Sequence, residues 1–461
     1  MTVWRTRRGK RAHKTRDMTE SNSINRRNFV KTAGVTAASV LLSRALPISA
    51  QTNKKRRYAI IGTGHRATGM WGVDLAKRYS NEIEFVGLCD KNGKRVEAGK
   101  QLIGARCPTF TNFDEMLTKV QPELLMVTTV DSTHHEFITK AVARGITVIT
   151  EKPMVTEASQ CQAVLDAEKK YNNKVIVTFN YRYAPKHEKI KQIIEAGEIG
   201  DVTSVNFEWY LDTRHGADYF RRWHRLKAGG GSLWVHKATH HFDLINWWLA
   251  ADPTEVSAYG DLNIYGSKNS PFRYSNCRPC PHKSKCPFYW DMTKDARLMK
   301  LYAEAEDVDG YFRDGCVFRE DVDIYDTMSA NVKYSNGVMM NYSLNASMPI
   351  EGYRLSFTGT KGRLEVRDYE RQPWEVAEKS EAFLIKNFTG KREKLDMPQI
   401  EGGHAGGDDR LRDVIFKNAA VPDYLKLPSA RAGAMSCLTG IAARTSIEKN
   451  RPVKISELIR L

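Results

Sequence analysis

The sequence predicts an α/β Rossmann domain followed by an α+β domain. Three features predict it: a glycine-rich turn between a short apolar run and a helix start, strand–helix alternation to about residue 180, and a series of strand-length segments beyond residue 200. The apolar run Tyr58-Ala59-Ile60-Ile61 leads directly into Gly62-Thr63-Gly64-His65-Arg66-Ala67. In this G-x-G-x-x-A spacing Gly62 permits the turn, Gly64 lets backbone approach a pyrophosphate, and the small Ala67 lets the helix pack on the strand. A second strand over 84–89 ends in Asp90, 28 residues after Gly62. A carboxylate there accepts from both ribose hydroxyls and repels a 2′-phosphate, which favours NAD; Lys91, Lys94 and Arg95 close by keep NADP open. Gly62, Gly64, His65, Arg66 and Asp90 are therefore candidate cofactor contacts.

The alternation continues with buried strands over 123–129 and 147–150, separated by a helical stretch over 134–144. Ligands of parallel sheets collect at the carboxyl ends of strands. Three groups fall there: Thr128-Thr129 with Asp131 and His134, then Glu151-Lys152-Pro153, then Asn180-Tyr181-Arg182 after the strand over 175–179. Thr128, Thr129, His134, Glu151 and Lys152 are assigned to the cofactor side and Arg182 to the substrate side. In the second half, 202–211, 327–334, 337–344 and 353–358 alternate or run apolar at strand length, with a turn at Ser335-Asn336-Gly337.

The breaker cluster Gly229-Gly230-Gly231 precedes a histidine-rich run in which Phe242, Ile245 and Leu249 keep helical spacing. His236, His240 and Asp243 then lie at i, i+4, i+7 on one face, with Lys237 and His241 on the next. Histidine titrates near working pH, so His240 is the candidate general acid/base, with His236 beside it, and Lys152 is the candidate donor to the reacting group. The same three side chains could instead hold zinc, or be satisfied within a structural helix. Tyr219, Arg222 and Trp223 supply the aromatic faces and forked donors that sugar rings favour, and with Lys237 and Asp243 are the remaining substrate candidates; a solvated basic loop is the competing reading.

Of the +17 formal charge, a surplus of nine sits in residues 1–50, where 11 Lys and Arg face Asp17 and Glu20. No basic helix with interleaved aromatics follows, which sets nucleic acid aside as a partner. Arg26-Arg27-Asn28-Phe29 before the small, apolar run 32–42 resembles a twin-arginine export signal, and Ser49-Ala50 offers a cleavage site. The expectation is a leader over 1–50, a periplasmic destination reached through the twin-arginine export machinery, and no stable membrane anchor. A dinucleotide domain is expected over 54–180, a second domain over 181–461, and within it a polar, cysteine-bearing insertion over 266–321. Cys277, Cys280, Cys286 and Cys316 could staple that insertion as a four-thiolate zinc site, an iron–sulfur site or two disulfides.

Taken together, Gly62-x-Gly64-x-x-Ala67, Asp90, the 129–136 turn, Glu151-Lys152-Pro153, Asn180-x-Arg182 and Glu195-x-Gly197-x-Ile199-Gly200 resemble the family named after glucose-fructose oxidoreductase, inositol dehydrogenase and the rhizopine-catabolism protein (Gfo/Idh/MocA). The resemblance implies a large, mostly antiparallel open sheet in the second domain whose outer face packs in homo-oligomers. It also implies oxidation or reduction of a small carbohydrate or polyol hydroxyl, with Lys152 near the nicotinamide. The family pattern Asp-x-x-x-His-x-x-Asp matches at His240 and Asp243, whereas His236 replaces the first aspartate. Outside the inner membrane free NAD is scarce, so a tightly held, recycled cofactor is expected. A redox-neutral glycoside hydrolase, as in family members resembling α-N-acetylgalactosaminidase, is the alternative, and a non-catalytic sugar-binding module the second. The Gly402–Asp409 segment, with His404 and Asp408, reads as a loop opening a helix.

Overall fold

The structure is a computed structural model that describes residues 54–460; the expected leader over 1–50 lies outside the described residues. Six parallel strands, β1 (Arg56–Ile61), β2 (Ile83–Cys89), β3 (Thr109–Phe110), β4 (Leu124–Val127), β5 (Thr147–Thr150) and β6 (Val175–Val177), stand in the order β3-β2-β1-β4-β5-β6. β4 and β6 read as unbroken apolar runs, and β1 does from Tyr58 onward, because helices cover both faces of such a sheet. Strand order reverses between β1 and β4, and the crevice at such a reversal is where ligands bind.

The second sheet has nine strands: β7 (Val202–Asp212), β8 (Pro253–Asp261), β9 (Thr327–Tyr334), β10 (Met339–Met348), β11 (Glu351–Gly359), β12 (Gly362–Arg371), β13 (Ser380–Lys386), β14 (Arg392–Leu395) and β15 (Val453–Lys454). Their order is β14-β13-β12-β11-β7-β10-β9-β8-β15, antiparallel except where β10 runs parallel to β7. β9 alternates exposed and buried residue by residue, the pattern of a sheet with one covered face. On the open face Tyr259 and Met339 are exposed.

The expected boundary at 180/181 separates the sheets but not the packing. The Ala430–Lys449 helix is buried along most of its length and returns to the first domain, where Val177 N–H donates to the Pro428 carbonyl at 3.0 Å. The Gly407–Phe416 helix lies against β1, with Phe416 edge-on to Tyr58 and Arg56 donating to the Ile415 and Phe416 carbonyls at 2.9 Å. This couples the domains: the C-terminal helices fill the apolar space that each sheet leaves open. Among the described residues no helix is long and apolar enough to cross a membrane.

Candidate active site

The glycine turn stands where the spacing placed it. Gly62 has φ +87°, and a side chain on it would sit 2.7 Å from the Thr128 carbonyl, so β1 and β4 can close on each other only over a glycine. Thr128 Oγ1 donates to the Gly62 carbonyl at 2.6 Å, which commits this hydroxyl to the turn rather than to a cofactor. Thr129 Oγ1 pairs with Thr133 Oγ1 at 2.8 Å. The helix after the turn starts wide, with Asp74 N–H reaching back to the Gly69 carbonyl. At the end of β2 the Asp90 carboxylate accepts from Thr63 N–H at 2.8 Å and from Asn92 N–H at 3.0 Å. These backbone donors fix a carboxylate at the place where a ribose diol would lie, which fits a dinucleotide.

Three other assigned residues, Arg66, His134 and Glu151, act as framework. The Glu151 carboxylate accepts from Arg66 Nε at 2.6 Å and Trp71 Nε1 at 2.7 Å. Burial alone would raise Glu151, but Arg66, the Trp71 N–H and Lys152 hold it below the usual carboxylate range. Arg66 and Glu151 are thus bound to each other at the foot of the turn. His134 faces the Pro153 carbonyl at 2.9 Å and the Thr129 carbonyl at 3.2 Å, so its one ring N–H is within reach of either loop carbonyl.

Lys152 is half-buried, and its Nζ donates to the His236 carbonyl at 3.1 Å. Burial pushes its ammonium down to about 8, against the pull of Asp131 and Glu151. His240 is buried, edge-on to Tyr181 at 4.7 Å, 5.6 Å from the His404 ring, and its Nδ1 has no partner. Burial, then the Lys152 charge, lower His240 well below the ordinary imidazole range, which leaves it neutral at rest. Lys237 lies buried over the Trp209 ring at 4.8 Å.

The single histidine face predicted over 236–243 does not form. Leu233–His236 and Thr239–Leu249 are separate helices broken at Lys237-Ala238, so His236 turns away and joins Asp131 at 2.5 Å. Burial raises Asp131 and lowers His236, so each is pushed towards its uncharged form. Arg182 and Asp243 are also corrected: Nε and Nη2 of Arg182 donate to the Asp243 carboxylate at 2.7 and 2.5 Å, both side chains are buried, and the pair is a strut rather than a substrate contact. Arg222 is paired with Asp218 at 2.7 Å, and Trp223 stacks on His224 at 3.6 Å. Tyr219 is buried near His236, at 5.3 Å, and its hydroxyl meets His215 Nε2 at 2.9 Å. His215 Nδ1 in turn meets Glu351 Oε1 at 2.8 Å. Asp131 stood in the sequence beside Thr129, but nothing there pointed to His215 and Glu351, which meet only because β11 pairs with β7.

The metal reading of Cys277, Cys280, Cys286 and Cys316 is not supported. The four thiols line one small cavity, of about 20 Å³, but among the described residues no three His, Cys, Asp or Glu side chains are arranged to hold a metal ion. All four are free thiols, so the disulfide alternative is not formed either. Burial raises Cys277 and Cys286, which opposes the thiolate that zinc needs, and Arg221 Nη1 already donates to Cys277 Sγ at 3.2 Å.

Comparison with known proteins agrees with this architecture. Residues 56–179 match the oxidoreductase family's NAD-binding Rossmann fold and residues 191–455 its C-terminal alpha/beta domain. The chain is similar to YteT of Bacillus subtilis (strain 168), 40% identical over 420 residues that make up 87% of this chain and 98% of that protein. It is similar to inositol 2-dehydrogenase of Salmonella typhimurium, 25% identical over 195 residues, 41% of this chain and 55% of that enzyme. Among solved structures it shares the fold of the WlbA dehydrogenase of Bordetella pertussis, crystallised with NADH and UDP-GlcNAcA, at 16% identity and TM-score 0.59 over 88% of this chain and all of that one. The chain belongs to the Gfo/Idh/MocA oxidoreductase family, with an NAD-binding Rossmann fold followed by the family's C-terminal alpha/beta domain.

Proposed function

We propose that the protein is a nicotinamide-dependent oxidoreductase acting on a hydroxyl of a sugar, polyol or glycoside. The observation that carries this reading is that Lys152, just beyond β5, donates Nζ to the His236 carbonyl at 3.1 Å and lies close enough to the buried His240 for its charge to lower that imidazole. When bound, the cofactor supplies the acceptor for hydrogen leaving the carbinol carbon. The Asp90 carboxylate would hold the ribose diol, favouring NAD, and the Gly62–Gly64 turn would take the pyrophosphate. Neutral His240 accepts the hydroxyl proton, and the Lys152 ammonium steadies the oxygen as its charge develops. The names of relatives, an inositol dehydrogenase and a nucleotide-sugar-bound dehydrogenase, support a polyhydroxylated substrate.

A second reading has its own observation. The His236–Asp131 pair and the Tyr219–His215–Glu351 chain are proton-handling groups beyond what one alcohol oxidation needs. They suit redox-neutral glycoside cleavage, in which a ring hydroxyl is oxidised to a ketone, the neighbouring carbon loses a proton, the glycosidic bond is eliminated, water adds, and the ketone is reduced again. Incubating purified protein with NAD and a panel of aldoses, inositols and nitrophenyl glycosides tests both readings. Reduced nicotinamide accumulating with a free sugar or polyol supports net oxidation; nitrophenol released with no net build-up of reduced nicotinamide supports cleavage; neither product refutes both. Our proposal extends to export by the twin-arginine route, a cofactor recycled in place, and homo-oligomers formed through the open face of the nine-stranded sheet.

A further inference from the structure

The insertion over 266–321 reaches back across the molecule onto the dinucleotide turn. Tyr302 Oη accepts from His65 N–H at 2.8 Å, the backbone donor that a Rossmann turn aims at a pyrophosphate. A side chain built on Gly64 would find the Tyr302 hydroxyl at 3.0 Å and nothing else within 4 Å, so the insertion stands directly over the bare backbone. Arg297 Nη2 donates to the His65 carbonyl at 3.1 Å and to Thr68 Oγ1 at 2.8 Å.

At the ribose end Asn92 Nδ2 donates to the Ala305 carbonyl at 2.9 Å, and Arg95 donates to the Leu301 carbonyl at 3.3 Å and to Asp309 at 2.8 Å. Ala98 of the Gly93–Ile103 helix packs with Met292, Leu298, Leu301 and Tyr302 as a separate small core. Two buried guanidinium nitrogens at this contact, Arg297 Nε on the insertion and Arg95 Nη2 on the facing helix, have no hydrogen-bond partner. Buried donors are almost always satisfied, so the unpartnered Arg297 Nε beside a phosphate-binding turn points to an anionic ligand.

We propose that this insertion is the outer wall of the dinucleotide site: Arg297 binds the pyrophosphate, Tyr302 yields His65 N–H to it, and the closed strap governs how long the nucleotide stays. This rests on the reading of the turn as an NAD site. With both sides of the groove formed by one chain, exchange requires the strap to lift, which matches a cofactor that is retained rather than released on each turnover.

The test follows displacement of bound NADH by excess NAD through the loss of nicotinamide fluorescence, in the full-length protein and in Arg297→Ala, with Arg297→Lys as the conservative control. Loss of one charge-assisted contact is expected to speed dissociation by about 10- to 100-fold in Arg297→Ala, with partial recovery in Arg297→Lys. Hydrogen exchange over 292–311 is expected to slow when NADH is added. Equal dissociation rates in all three proteins, or exchange unaffected by NADH, overturn the strap while leaving the NAD site intact. Failure of the unaltered protein to bind NADH at all overturns the strap and the NAD reading together.

Discussion

Replacing Asp243 by alanine removes the carboxylate that accepts from Arg182 Nε at 2.7 Å and from Nη2 at 2.5 Å, in a place where the carboxylate is buried and the guanidinium side chain nearly so. The guanidinium is then left buried and uncompensated, a change that costs about 3–5 kcal/mol. The Phe179 and Trp247 rings, each 5.9 Å from the guanidinium carbon, retain part of its stabilisation, so a value near the lower end, about 3 kcal/mol, is expected. Urea unfolding followed by tryptophan fluorescence measures this, with Trp247 as a nearby reporter. Replacing both partners together by apolar residues, Arg182→Met with Asp243→Leu, removes the charge instead of stranding it and should return to within about 1 kcal/mol of the parent. A substrate role predicts the reverse: unchanged unfolding with a raised KM. If Asp243→Ala unfolds within about 0.5 kcal/mol of the parent while KM rises, the strut assignment is wrong.

Other outcomes can be checked with the same protein. Because the Lys152 ammonium is pushed down to about 8, its charge is complete below that pH and lost above it, so kcat/KM for alcohol oxidation should decline above pH 8; a rate still climbing well into the alkaline range would contradict the ammonium role. Lys152→Met should lower kcat by about 10²- to 10⁴-fold while NADH fluorescence titration shows nucleotide still bound. Tyr219→Phe breaks the link to His215; if Tyr219 carries protons for glycoside cleavage, nitrophenol release should fall at least about tenfold with KM little changed, and an unaltered kcat would remove it from the relay. Gly62→Ala forces a methyl to 2.7 Å from the Thr128 backbone at φ +87°, and thermal unfolding should show a loss of about 2–4 kcal/mol.

Local pattern encodes the dinucleotide turn and the strands around it. The G-x-G-x-x-A spacing between an apolar strand and a helix placed the turn, Asp90 lay just past β2, and Lys152 two residues past β5, because strand period and turn chemistry act over a few residues. The alternating segments of the second half became β7, β9, β10 and β11 for the same reason. Which polar side chains stay free was settled by contacts between distant elements. Lys237-Ala238 breaks the histidine helix and sends His236 to Asp131; Arg182 and Asp243 satisfy each other; Glu351 meets His215 across 136 residues. A buried charge takes whichever partner the fold brings within about 3 Å, and that partner is selected by packing between elements distant in sequence, where no periodicity records it. The same holds for Tyr302, 237 residues from the His65 N–H it covers.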